Sequence, residues 1–77
     1  MTERQARQLS AQGCPVRTGK DDGGLREGSF GYLVRWSIAG GRGLLTGIGS
    51  MGFDPMGGCA WAHLDNLERV SVAGPND

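Results

Sequence analysis

The sequence predicts an all-β domain: a small barrel of four to five short antiparallel strands with one 3₁₀ turn and a flexible N-terminal arm. Three observations predict it. Apolar residues make up 38% of the 77 residues, too many for a disordered chain. Gly occupies 15 positions, which disfavours packed helices and marks turns. From Phe30 onward, apolar and polar residues alternate with period two, the pattern of half-buried strands. The length allows one domain at most. A chain of this size hides only about 60% of its unfolded surface, so its core is thin and a partner or a second copy would add stability.

Residues 1–25 are read as the flexible arm. "TERQARQLSAQ" holds good helix formers, with Thr2 as N-cap and Gln5 completing a capping box. Gly13 and Pro15 stop the helix. Only Ala6 and Leu9 form its apolar face, too little to anchor a helix this short. "RTGKDDGG" then reads as loop. The barrel is expected over 26–74, and 75–77 form a tail.

Within the barrel, "FGYLVRWSIA" is the first strand, with Tyr32, Val34, Trp36 and Ile38 on one face and Leu33, Arg35 and Ser37 on the other. Trp36, beside Val34 and Ile38, is expected in the core or an interface. Gly40 and Gly41 suit a tight hairpin turn. "GLLTGIGSM" is the second strand, with Gly43, Gly47 and Gly49 at bulges or close backbone approaches. In "CAWAHLDNLERVSV", Cys59, Trp61 and His63 share one face and Ala60, Ala62 and Leu64 the other. "LDNLE" reads as one 3₁₀ turn in which Asp65 or Asn66 bonds nearby backbone, and "RVSV" as a last strand with Val70 and Val72 inward.

"GIGSMG" (47–52) is a literal G-x-G-x-x-G. A dinucleotide site needs that pattern between a strand and a helix, within a βαβ unit. Here "FDPMGG" follows, and Pro55, Gly57 and Gly58 forbid a useful helix. No nucleotide or other cofactor is expected. Cys59 and His63 do not make a metal pair, because residues four apart on a strand stand roughly 13 Å apart. Their expected roles are structural, Cys59 as a small buried hydrophobe and His63 as a partly exposed strand end. No catalytic set is recognisable, and no metal site is expected.

Strand, 3₁₀ turn and short strand, as in "WAHLDNLERV", resemble the ending of KOW and other SH3-like domains. "GYLVR" (31–35), "GLLTG" (43–47) and "LERV" (67–70) are similar to segments of the plasmid-borne type II dihydrofolate reductases. Together these segments cover about half of the barrel region. The resemblance implies an SH3-like barrel with a flexible arm, and self-association. It does not imply the activity. That family places a Val-Gln-Ile-Tyr segment in its central pore, whereas registering on "LERV" puts Cys59, Ala60, Trp61 and Ala62 there. The glutamine that would bind pterin and nicotinamide is absent, as is the tyrosine. The stretch from Gly47 to Gly58 is also shorter than the family's.

The expected function is a non-enzymatic interaction module that binds a protein partner or its own copies. The binding residues expected are Met51, Phe53, Met56, Trp36, Trp61, Arg35 and Arg42. A Phe between two Met on a Gly-rich loop either plugs the barrel or forms an adaptable apolar patch for a partner. A nucleic-acid-binding domain using Arg35, Arg42 and Trp36 is the alternative, and an oligomeric enzyme the least favoured reading. Eight basic residues balance eight acidic ones, and neither half of the chain has the basic excess of a non-specific nucleic-acid binder. The polar start "MTERQARQLS" has no apolar signal core, and no apolar run is long enough for a membrane helix. A cytoplasmic setting with reduced thiols, and no membrane partner, is therefore expected. The small size suggests an accessory protein of a phage or plasmid.

Overall fold

The computed structural model describes residues 1–70. The chain runs α1 (Glu3–Gln12), β1 (Pro15–Thr18), β2 (Phe30–Ser37), β3 (Arg42–Gly49), β4 (Ala60–His63), a 3₁₀ turn (Leu64–Asn66) and β5 (Leu67–Arg69). The strands form one open antiparallel sheet in the order β4-β3-β2-β1-β5. The mostly-β expectation holds at that level. The closed barrel is not seen, and a helix is present. Val72 and the 75–77 tail lie outside the described residues.

The N-terminal segment departs from the flexible arm expected over 1–25. Its helix begins and ends where the caps place it. The Thr2 hydroxyl accepts from the Gln5 backbone, the Gln5 side chain accepts from the Thr2 backbone, and Gly13 closes the helix in the left-handed region at φ 65°. The helix then packs on β2. Ala6 is fully buried and Leu9 nearly so, and both belong to the core. Two apolar residues suffice because Ala6 is small enough for close approach, and because the helix gains its stability from docking rather than from length. β1 follows directly and lies inside the sheet, pairing with β2 on one side and β5 on the other. Val16 and Thr18 point inward. The buried Thr18 hydroxyl is satisfied, donating to the Arg26 carbonyl at 2.8 Å and accepting from Ser29 N–H at 3.0 Å.

Strand β2 corrects the assignment of faces. Leu33 pairs with Leu45, yet Arg35 pairs with Leu44, so Val34 is an extra residue, a β-bulge. The bulge reverses which parity points inward. Before it, Gly31 and Leu33 face the core; after it, Trp36 does, opposite Gly43. Tyr32, Val34, Trp36 and Ile38 therefore do not form one buried stripe, and Val34 and Ile38 are exposed. Trp36 is half-buried against the core, and its indole N–H donates to Glu3 Oε2 at 2.7 Å, tying β2 to α1. A second irregularity places Gly47 and Ile48 of β3 opposite Gly31 alone. Gly47 takes φ 65° there, as the glycine pattern predicts for a bulge.

Strand β4 matches its expected alternation. Ala62 and Leu64 are buried and Ala60 packs on the core, whereas Cys59, Trp61 and His63 are exposed. Cys59 is thus not the buried hydrophobe expected of it. The last strand begins at Leu67, earlier than "RVSV" suggests, because Leu67 and not Val70 supplies its buried side chain. The core comprises Ala6, Leu9, Val16, Leu25, Leu33, Leu45, Ala62, Leu64 and Leu67, between α1 and one face of the sheet.

Candidate functional site

The sheet face opposite α1 has no covering element among the described residues. Residues adjacent in sequence to the inward ones build it. Tyr32 and Arg35 come from β2, Leu44 and Thr46 from β3, and Trp61 and His63 from β4. Register joins them: Tyr32 stands opposite Thr46, and Leu44 lies between Arg35 and Trp61. On β1, Arg17 is opposite Phe30, with its guanidinium 6.0 Å from the ring centre, and it also pairs with Glu68 at 3.3 Å.

The β3–β4 loop completes the face. Asp54 organises it: its backbone N–H donates to the Gly47 carbonyl at 2.9 Å, its carboxylate accepts from Met56 N–H, and its carbonyl accepts from Gly57 N–H. This folds the loop back along β3 and lays Phe53 edge-on against Tyr32, ring centres 4.6 Å apart. Gly47 lies directly beneath the Phe53 ring, where any side chain would collide with it. The loop therefore does not plug the interior. Met51 and Met56 are 96% and 92% exposed, while Phe53 and Trp61 stay 46% and 49% exposed.

Of the seven residues expected to bind, four share this face: Phe53, Trp61, Arg35 and, at its end opposite Ser37 and His63, Arg42. Met51 and Met56 stand on the loop beside it. Trp36 does not join them, because the bulge at Val34 turns it to the α1 side. Arg35 and Arg42 have no ion-pair partner among the described residues. The two cysteines are free: Cys59 is exposed and donates to Thr46 Oγ1, and Cys14 donates to Gln12 Oε1. No described group of His, Cys, Asp and Glu could hold a metal ion, and no described helix is long and apolar enough to cross a membrane. "GIGSMG" closes the end of β3 and enters a turn, with no helix after it.

A second constellation was not legible in the sequence. The Asp22 carboxylate, 8% exposed, accepts from the His63 backbone N–H at 2.7 Å and lies 2.8 Å from His63 Nδ1. The buried Asn66 amide donates to it at 3.3 Å. The His63 backbone bond, together with the His63 ring and Asn66, outweighs burial and holds the Asp22 carboxyl below its usual range. Because folding lowers this pKa, ionised Asp22 stabilises the fold above the ordinary carboxylate range, and that contribution disappears as pH falls through the lowered value. Acid titration of thermal stability should therefore show a loss below about pH 4 that is absent in a folded Asp22→Asn variant. An identical acid limb in both proteins would place the sensitive group elsewhere. The sequence signal was faint, since 41 residues separate the pair.

No known protein family, curated protein or solved structure matches the chain.

Proposed function

We propose that the chain is an interaction module whose open sheet face docks an apolar protein surface, either a partner's or that of a second copy. One observation carries the reading. Trp61 and Phe53 remain half-exposed on the uncovered face, beside two methionines that are more than nine-tenths exposed. Half-exposed aromatics and Met side chains are the groups that dominate and adapt at interfaces. The fold fits this use, and we read it as SH3-like. Its strand order sets β5 beside β1, and a 3₁₀ turn links β4 to β5.

A second reading, single-stranded nucleic acid, draws on Arg35 and Arg42 next to the aromatics, since stacking rings with nearby cations suit that ligand. The zero net charge weighs against it.

The test compares the wild type with a Trp61→Ser, Phe53→Ser double variant by sedimentation equilibrium across concentrations. The wild type should self-associate and the variant should remain monomeric with its melting cooperative. An interface with two aromatic anchors loses on the order of 100-fold in affinity or more without them. A monomeric wild type moves the occupant from a second copy to another chain. Oligonucleotide affinity that falls steeply with salt and vanishes in the double variant would replace this reading with the nucleic-acid one.

A further inference from the structure

His63 and Asp22 meet at a pocket of about 470 Å³ between the 19–25 loop and the 3₁₀ turn, lined also by Lys20, Asp21, Asp65 and Asn66. The Asp22 side chain is more than nine-tenths buried, whereas that of His63 is 60% exposed. The Asp22 carboxylate accepts from the His63 backbone and from Asn66, and its other oxygen lies 2.8 Å from the His63 ring nitrogen Nδ1. An ionised acceptor 2.8 Å from Nδ1 requires the ring proton to sit on Nδ1. The neutral imidazole then carries its free electron pair on Nε2, the ring nitrogen not engaged by Asp22. No Ser, Thr or Cys lines the pocket for His63 to activate. The imidazole itself is the nucleophile the pocket presents.

We propose that His63 is an acyl acceptor for activated esters, with Asp22 as the residue that positions it. In the first step the Nε2 electron pair attacks the ester carbonyl carbon. The C–O bond to the leaving group breaks, and that group departs as its anion. The acylated ring keeps its Nδ1 proton against Asp22, whose negative charge offsets the positive charge gained by the imidazole. In the second step water attacks the acyl carbon, its proton passes to solvent, the C–N bond breaks, and the electron pair returns to Nε2. Ester and water become carboxylic acid and alcohol. Lys20, at the same pocket, is the cation available to the carbonyl oxygen as it becomes anionic. Trp61 is two residues from His63 on the same face of β4, about 7 Å away along the strand. Its ring favours esters with an aromatic leaving group. The site shares Trp61 and His63 with the docking face but takes a different ligand there.

The experiment measures p-nitrophenyl acetate hydrolysis by the full chain, with N-acetylhistidine methylamide as the reference for an unassisted imidazole. The second-order rate constant should exceed the reference about 10-fold or more and fall to background in His63→Gln. In Asp22→Asn the amide donates to Nδ1, moves the ring proton to Nε2 and should slow the reaction roughly 100-fold, while Asp22→Glu restores part of the rate. Nitrogen NMR of the ring reads the same change as a switch of tautomer, which loss of packing alone would not produce. A wild-type rate no greater than the reference, or no greater than His63→Gln, overturns the proposal. So does a folded Asp22→Asn protein that reacts as fast as the wild type. If Asp22→Asn does not fold, the wild-type and His63→Gln comparison decides alone, since the His63 side chain is mostly exposed and its loss leaves the core intact.

Discussion

A chain lacking residues 1–13 should lose cooperative unfolding or melt about 15–30 °C below the full chain. Deletion removes α1, and with it the cover that Ala6 and Leu9 give to Leu33 and the rest of the core. It also leaves the Trp36 indole N–H without Glu3. Exposing that much core should cost about 3–5 kcal/mol, as losing a large buried side chain does. A domain of this size has roughly 4–12 kcal/mol in total. Each kcal/mol shifts the midpoint by about 4–8 °C in so small a domain. Calorimetry of the two proteins checks the prediction. A truncated chain with an unchanged midpoint would return α1 to the status of a loose arm.

The helix shows where sequence reading reaches and where it stops. Its caps were legible because Thr2, Gln5 and Gly13 act locally, within one turn of each helix end. Its docking was not legible, because the partners of Ala6 and Leu9 lie far along the chain. Strand β1 was hidden for a related reason. Its four residues show only Val16 and Thr18 as an alternating pair, set between Pro15 and Gly19, and their burial depends on β5 from the other end of the chain. In β2 the alternation was legible, but a single extra residue at Val34 inverted its sense and took Trp36 out of the candidate site. β4 has no such irregularity, so Trp61 and His63 were placed on the correct face. The Phe53 loop was recognised as unusual from composition alone. Its position over Tyr32 required the Asp54 turn, which only the fold shows.

Asn66 should be the least replaceable polar residue of the domain. Its amide is buried, and its bonding capacity is filled. The oxygen accepts from Gly19 N–H at 3.1 Å and Lys20 N–H at 3.0 Å, while the nitrogen donates to the Lys20 carbonyl at 2.9 Å and to Asp22 at 3.3 Å. These bonds tie the loop after β1 to the 3₁₀ turn and hold Asp22 beneath His63. Asn66→Ala leaves the Lys20 N–H and carbonyl without their partners, at about 1–3 kcal/mol for each group that water does not reach. Gly19 N–H retains the Asn66 carbonyl at 2.9 Å, so the loss should total about 2–4 kcal/mol. Asn66→Asp should be worse at neutral pH, by about 3–5 kcal/mol, because it places a carboxylate against the Lys20 carbonyl and the Asp22 carboxylate. Those neighbours raise the new group's pKa in the folded state above its unfolded value. The penalty is therefore full at neutral pH and shrinks as pH falls through the raised value, where the protonated acid can donate as the amide did. Urea melts at pH 7 and pH 5 should show Asn66→Asp gaining stability on acidification while Asn66→Ala does not. Equal melts for Asn66→Asp at the two pH values would mean that position 66 is open to water and that the loop is held by other contacts.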